Sequence, residues 1–466
     1  MAMMRATRKF LFLLLICDAA EGSLHAQFVF TGRVVNASQQ PIAGANLLIN
    51  QTLPVGSTNA DGRFRFEHSA STFQLSISHV GFVTLVLNVD SLLPALIVLQ
   101  RNTPLEEEAV VYAFEGNGHS RNLAAAVTVL TKNDLQRLGT GSLVAAVNTV
   151  PGVKMDERSP GSYRLSIRGN LLRSTFGVRN VKVYWNGIPF TDASGNTYLN
   201  QVSPENLGSM EVLKGPSGSM YGSGTGGVVL LGTGRNATDT GKHVDVKVTG
   251  GSYGLFSASA AYEKQGPQAT RLSVSHQQAD GYRQHTRMRR DVAHFTGSYR
   301  LSAKHTVSTN ILYSDLFYQT PGGLTAAEQS ANPRQARPAA GAFRSAVTQQ
   351  AAVYLRTIYA GVSSAFTLRE RWKWTTGLYG SGTDFKNPTI RNYEKKSEKG
   401  IGARSVLQYK HRRFTGTAGA ELQQGYFNTD VFGNDAGRQD TLQFNAVIQS
   451  RQANIFAQAE VMLPKG

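Results

Sequence analysis

Thiol chemistry is all but absent from this chain: its 466 residues include a single cysteine, Cys17. With no second cysteine, disulfide scaffolds, thiol catalysis and cysteine-based zinc sites are closed off. Long apolar runs are missing too. The longest near the start, Phe10 to Cys17, falls well short of the roughly 20 residues a membrane-spanning helix needs. Preceded by Arg5, Arg8 and Lys9 and followed by a small-residue site ending at Ala26, it reads as a signal peptide over 1–26, with Gln27 as the mature N-terminus. A lipoprotein box at Leu14-Leu15-Ile16-Cys17 is spoiled by Ile16, which stands where a small residue is wanted. Acidic residues number 31 against 48 basic ones, giving a formal net charge of +17. The excess is spread over the second half of the chain without a nucleic-acid-binding motif, so nucleic acid is not the expected partner. No G-x-S-x-G and no H-E-x-x-H is present, so neither a serine hydrolase nor a zinc protease is indicated and no catalytic residues, metal or cofactor are assigned.

What the chain does have is glycine, 47 residues of it, together with 9% aromatic residues and a mean hydropathy of −0.24. This suits many short strands and turns better than helix bundles. From Phe28 to about Leu99 the period is two, with Phe64 and Phe66, then Phe73, Leu75 and Ile77, alternating with polar or small residues. A small β-sandwich over 27–100 follows. Next comes 101–118, an acidic run, Glu106-Glu107-Glu108, leading into a short β-branched segment. Between 119 and 235 the pattern is mixed α and β, with helical spacing over Lys132 to Leu138 and Leu143 to Val147, stopped by Gly139 and by Pro151-Gly152.

The centre of this region is Met210 to Leu231, a strand, a glycine-rich turn and a second strand. Gly222, Gly224 and Gly227 fit G-x-G-x-x-G, but a dinucleotide site requires a helix after the glycines, and here a β-branched strand follows. From 242 to 466 the pattern becomes repeated two-residue alternation. Phe256, Ala258, Ala260 and Tyr262 oppose Ser257 and Ser259, Val307, Thr309, Ile311 and Tyr313 oppose Ser308 and Asn310, and Trp372, Trp374, Thr376 and Leu378 oppose Lys373 and Thr375. Near the end, Ala453, Ile455, Ala457 and Ala459 oppose Asn454, Gln458 and Glu460. One face wants lipid and the other water, the dyad of a transmembrane barrel. About ten such strands fit, and Thr320 to Gln349 reads as a long loop between two of them.

Glu211-Val212-Leu213-Lys214-Gly215-Pro216-Ser217, Tyr221-Gly222-Ser223-Gly224 and Gly226-Gly227-Val228, preceded by Val183-Tyr184-Trp185-Asn186-Gly187, resemble the plug domain of TonB-dependent outer-membrane receptors. Thr149-Val150-Pro151-Gly152-Val153 and Leu165-Ser166-Ile167-Arg168-Gly169 appear in the order that family has them. Thr31-Gly32-Arg33-Val34-Val35, Pro41-Ile42-Ala43-Gly44-Ala45-Asn46 and Asn59-Ala60-Asp61-Gly62 resemble the non-catalytic carboxypeptidase regulatory-like domain found ahead of many such receptors. The resemblance covers nearly the whole chain. It implies a mainly β fold: a sandwich, a plug, and the first ten or so strands of a barrel of about 22, so that the sequence stops within the barrel.

The resemblance further implies active import across the outer membrane, with no chemistry performed on the cargo. The TonB box would be Glu108, Ala109, Val110, Val111 and Tyr112, an extended segment able to pair with the TonB C-terminal domain, which ExbB and ExbD energise; an ordinary strand is the alternative. Arg168 would form a plug-to-barrel ion pair or else be a solvated arginine at a strand end. Arg334, Arg337 and Arg344, in the long loop, would gather an anionic iron chelate, or else meet solvent or lipopolysaccharide. The central stretch stands closer to the siderophore and vitamin branch than to the SusC-like glycan importers, so a ferric siderophore or other iron chelate is the first choice of cargo. A glycan or vitamin is the alternative; a passive porin or an anchored hydrolase fits less well.

Overall fold

The computed structural model describes residues 28–90, 92–100, 110–111, 118–119, 125–137, 141–157, 159, 161–170, 176–215, 220–222, 226–233 and 241–463. The leader with Cys17 and Ala26, and Glu108, Ala109 and Tyr112 of the expected TonB box, lie outside the described residues. The chain divides into two units, Met1–Glu108 and Ala109–Gly466.

The first unit holds seven strands: β1 (Phe28–Asn36), β2 (Asn46–Ile49), β3 (Leu53–Ser57), β4 (Arg63–His68), β5 (Thr72–Ser78), β6 (Leu85–Asp90) and β7 (Leu96–Leu99). They form two sheets, ordered β4-β1-β7 and β3-β2-β5-β6. Alternation does the sorting: on β4, Phe64 and Phe66 are buried while Arg63, Arg65 and Glu67 are exposed. Phe30, Phe66 and Phe73 pack ring to ring, with centroids 5.4 and 4.8 Å from Phe30, in a core with Leu47, Leu75, Ile77 and Leu99. The turn into β4 is made by Asn59, whose Oδ1 accepts from the backbone N–H groups of Asp61 and Arg63, an Asx turn.

The second unit opens with β8 (Val110–Val111), paired antiparallel with β9 (Gly118–His119). Then come β10 (Val127–Thr131), helices Lys132–Arg137 and Val144–Val147, β11 (Val153–Glu157), β12 (Tyr163–Ile167), β13 (Val178–Arg179), β14 (Val181–Trp185), β15 (Ile188–Pro189), β16 (Asn196–Thr197), β17 (Ser209–Lys214) and β18 (Gly227–Gly232). A five-stranded sheet ordered β10-β17-β18-β14-β15 carries the core of this part, in which Val183, Trp185, Val212 and Val229 are fully buried.

Ten strands complete the unit in one antiparallel sheet, each paired with the next: β19 (Gly241–Gly251), β20 (Leu255–Gln265), β21 (Gln268–Ala279), β22 (Met288–Ser302), β23 (His305–Gln319), β24 (Ala352–Arg369), β25 (Trp372–Pro388), β26 (Asn392–His411), β27 (Phe414–Asp435) and β28 (Arg438–Val461). One end of the sheet has two-residue turns, at 266–267, 303–304, 370–371 and 412–413, and the other carries the loops 252–254, 280–287, 320–351 and 389–391 beside one two-residue turn at 436–437, the asymmetry of an outer-membrane barrel wall. Outward positions are apolar over a bounded height. On β24 the band runs from Ile358 to Leu368, both exposed, a rise of about 25 Å for a strand tilted about 40°. At the turn end it meets Trp372, Trp374, Tyr409 and Phe414. At the loop end it meets a charged row running strand to strand through His276, Asp291, Asp315, Arg356 and Asp384.

The long loop lies between β23 and β24, as the sequence suggested. It contains a helix, Ala326–Ala331, because Thr325 and Glu328 form a capping box, which satisfies N-terminal donors reciprocally. Among the described residues no helix is long and apolar enough to cross a membrane; this says nothing against crossing by strands.

Candidate functional site

β17 and β18 run antiparallel, and β18 lies parallel to β14. The chain returns so tightly that Gly227, at φ +140°, would place a Cβ 2.4 Å from the Leu213 carbonyl oxygen, so only glycine fits. At Gly222, φ +85°, a Cβ would stand 2.6 Å from Asn454 Nδ2 of the barrel wall. A strand follows these glycines, so no helix terminus is offered to a pyrophosphate.

Strand β14 joins two environments through its period of two. Val181, Val183 and Trp185 enter the core of the five-stranded sheet. Lys182 and Tyr184 turn to the barrel: Lys182 Nζ donates to Gln452 Oε1 at 3.1 Å, and the Tyr184 hydroxyl donates to Glu421 Oε2 at 2.8 Å. Burial pulls the Lys182 ammonium below its usual pKa, against the attraction of Glu421 and Asp192, and burial with the Glu421 charge pushes the Tyr184 phenol well up. Glu421 also receives Arg404 Nη1 at 3.2 Å. Arg404 donates to the Met220 carbonyl and lies over the rings of Tyr184, Tyr221 and Phe456, 4.9–5.5 Å from their centroids.

Two more buried arginines of the wall grip the inner domain by its backbone. Arg290 donates to the carbonyls of Asn200, Val202 and Gly141 and to Gln277 Oε1. Arg271, paired with Glu263 at 2.8 Å, donates to the Glu205 carbonyl at 3.0 Å. Tyr359 donates to the Pro189 carbonyl, Gln423 to that of Thr191, and Ser450 and Gln452 to that of Ala193. The inner domain therefore sits against the inward face of the ten-stranded sheet, held by polar contacts to its loops and by apolar packing, with Val292, Leu312 and Tyr359 of the wall joining its core and Val406 and Phe456 packing with Tyr184, Leu213 and Met220.

These wall residues were not singled out from the sequence. Their one signal was available: Arg271, Arg290, Arg404, Glu263 and Glu421 are charges at inward-phase positions inside strands, where the alternation calls for small or neutral polar residues.

Among the residues expected to matter, Arg168 is exposed at φ +53°, with its guanidinium 2.9 Å from where a Cβ on Gly215 would stand. It makes no ion pair to the wall among the described residues. An inner-domain-to-wall pair does occur elsewhere, Lys132 to Asp245 at 3.6 Å. Of the expected TonB box, Val110 and Val111 are in β8, paired with Gly118 and His119.

The three loop arginines are not brought together on one point. Arg334 lies over Tyr282 and Tyr253, at 5.0 and 5.8 Å, Arg344 pairs with Asp435 at 2.8 Å, and Arg337 Nη1 reaches the Arg344 carbonyl at 3.5 Å. The loop as a whole is laced to neighbouring hairpins. Gln349 and Asn434 exchange side-chain-to-carbonyl bonds, Arg283 donates to the Gly322 and Gln335 carbonyls, and Arg391 covers Phe343 at 4.4 Å.

Between the inner domain and strands β24 to β27 lies a cleft with an empty volume of about 450 Å³, part of it open to solvent. Phe190, Asp192, Tyr198, Thr357, Glu398 and Phe427 line it, and Tyr198 donates to Glu398 Oε1 at 3.1 Å. Asp192 organises its own loop, accepting from the backbone N–H groups of Ser194 and Asn196, while burial raises its carboxyl pKa. Carboxylates, hydroxyls and aromatic faces make this a surface for hydrogen-bond donors and sugar-like or aromatic rings.

Residues 119–229 match the TonB-dependent receptor plug domain, and residues 30–111 match the CarboxypepD_reg-like domain. The vitamin B12 transporter BtuB of Vibrio vulnificus is 28% identical over 101 residues, covering 21% of this chain and 16% of that protein. Among solved structures, the ferric citrate transporter FecA superposes with a TM-score of 0.59 at 17% identity, over 73% of this chain and 55% of that one. The ferric yersiniabactin uptake receptor FyuA of Yersinia pestis does so with a TM-score of 0.52 at 14% identity, over 73% and 62%. The chain thus spans little more than half the length of the ferric citrate transporter.

Proposed function

We propose, from the premise that this chain belongs to the TonB-dependent receptors of the outer membrane, that the protein imports a ligand by energised displacement of its plug. The observation that carries this reading is the mode of contact between plug and wall. Arg271, Arg290, Arg404, Tyr359 and Gln423 hold the plug by hydrogen bonds to its backbone carbonyls, and some buried polar atoms there, Asn200 Oδ1 and Asn206 Nδ2, have no partner among the described residues. Water can take over each of these polar contacts as it breaks, unlike the apolar contacts that lie beside them, such as Val406 and Phe456 against Tyr184, Leu213 and Met220. The TonB C-terminal domain would pair with Glu108 to Tyr112 and pull.

An iron chelate is the cargo this reading favours. Support comes from the basic balance of the chain and from relatives named as ferric citrate and ferric yersiniabactin transporters. The cleft supports a second reading, a neutral hydroxyl-rich cargo such as a glycan, since Asp192, Tyr198 and Glu398 offer acceptors and a hydroxyl there. The test is binding of a panel of iron chelates and neutral oligosaccharides to the full-length receptor at low and high salt. Tight binding of an anionic chelate that weakens with salt supports the first reading. Salt-independent binding of a glycan alone replaces it with the second.

A further inference from the structure

We infer that the turn end of the barrel wall is a docking surface for the carboxylate-bearing peptidoglycan of the periplasm. Three neighbouring turns carry the charge. Arg300 and Lys304 belong to the turn at 303–304 and its flanks, and Arg369, Arg371 and Lys373 to that at 370–371. Lys410, Arg412 and Arg413 belong to that at 412–413. All eight side chains are exposed, and none has an ion pair or side-chain hydrogen bond among the described residues. The turns are joined edge to edge, since the Thr367 N–H donates to the Lys304 carbonyl and the Lys410 N–H to that of Arg371, both at 2.8 Å. The cations therefore form one continuous row.

Acidic groups at this end are few. Glu263 is paired with Arg271, Asp245 with Lys132, and Glu205 accepts from the Ser203 hydroxyl. Glu370, between Arg369 and Arg371, is the one exposed carboxylate of the three turns, and Glu460 is half-buried opposite Thr415. At the loop end, by contrast, Arg289, Arg344 and Arg356 meet Asp291, Asp435 and Asp315. Eight cations against these two carboxylates leave a surplus of one sign, and a row of like charges is relieved by an anionic polymer laid along it.

Position selects the class of polyanion. Lys373 lies between Trp372 and Trp374, and Lys410 follows Tyr409; those rings take the lipid-facing phase, so both ammonium groups take the other and turn to the lumen side. Arg300 shares the inward phase of β22 with Val292 and His294, which are buried. Headgroup phosphates outside the wall are thus not the match for these three, and short turns are the periplasmic ends of such barrels. A folded protein partner takes an apolar or aromatic centre with charges at its edge. The turn tips, Ala303-Lys304, Glu370-Arg371 and Arg412-Arg413, offer no such centre. An extended polymer with carboxylates at intervals needs none, and peptidoglycan, whose peptide stems carry free carboxylates, lies on this side of the outer membrane. Five of the eight cations are arginines, whose fork of donors matches a carboxylate. Successive turns stand two strand spacings apart, about 10 Å, so one strand of polymer can meet all three.

The experiment is sedimentation of the full-length receptor, in mild detergent, with purified peptidoglycan sacculi. Wild type should pellet with the sacculi, and less so as salt is raised. Arg371→Gln/Arg412→Gln/Arg413→Gln should bind roughly a hundredfold more weakly, at about fivefold per charge near an anionic surface. Amidation of the sacculus carboxylates should weaken wild type as much, and Lys386→Gln/Lys395→Gln, at the loop end, should change nothing. Heat-modifiable migration shows that each variant is folded, and Arg412→Gln alone, about fivefold weaker, serves if the triple variant is not. Uptake is not the readout, so a failure of the import reading would leave this result standing. Equal binding by wild type and the folded variants overturns the inference. So does shielding of Arg371 and Arg412 from phenylglyoxal by anionic phospholipid nanodiscs, or by the TonB C-terminal domain, as complete as that given by sacculi.

Discussion

Arg404 and Glu421 are 5% and 1% exposed, so removing either leaves the other as an uncompensated buried charge. Glu421→Ala in the full-length receptor should therefore destabilise it by about 3–5 kcal/mol, read as a lowered thermal transition and faster proteolysis of the plug. Tyr184→Phe removes only a hydroxyl that serves Glu421 and the Tyr221 carbonyl, and should cost about 1–2 kcal/mol. A tyrosine effect as large as the glutamate effect would mean that ring packing, not the ion pair, holds this corner. Gly227→Ala is a different kind of lesion, strain at φ +140° plus a clash with the Leu213 carbonyl. It should destabilise the plug by roughly 1–3 kcal/mol or more, whereas Gly187→Ala, strained but uncrowded, should cost less in the same urea titration.

At the scale of elements, β8 is a two-residue strand whose partner β9 is equally short. So small a pairing offers little resistance to exchange for a longer one. If the TonB box lies at Glu108 to Tyr112, its deletion should abolish uptake and leave surface binding of ligand intact. Val110→Pro should come close to the same result, since proline removes a ladder donor. Uptake at the wild-type rate in both variants would move the box elsewhere. The long loop is the opposite case. Its capped helix and its ties through Gln349, Asn434 and Arg283 make it a fixed cover on the hairpin ends, and Arg344→Ala, losing only the exposed pair with Asp435, should change receptor stability by less than about 1 kcal/mol.

For the whole molecule, the polar grip between plug and wall makes separability a measurable property. Arg290→Met replaces a guanidinium that reaches three plug carbonyls with an apolar chain of similar length. Those carbonyls would be left short of a donor, so plug amides near Asn200 and Val202 should exchange hydrogen at least about tenfold faster, equivalent to 1–2 kcal/mol. Unchanged protection would show that the wall arginine contributes nothing to plug retention.

Much of this architecture is written in local periodicity. The two-residue alternation of Phe256 to Tyr262 or Trp372 to Leu378 is a property of consecutive side chains, and it sets which face of each strand meets lipid before any strand has found its neighbour. The same holds for the sandwich, through Phe64 and Phe66, and for the central strand-turn-strand, where Gly215-Pro216 interrupts and Val228 to Leu231 resumes. What sequence could not supply is which residues meet across distances of hundreds of positions. Tyr184 and Glu421, Met220 and Arg404, or Lys182 and Gln452 become neighbours only through the register of the barrel and the seating of the plug. The loop arginines show the same limit from the other side: Arg334, Arg337 and Arg344 are close in sequence, yet the fold gives them to tyrosine rings, a carbonyl and Asp435, because a long loop closes over whichever hairpin ends lie beneath it.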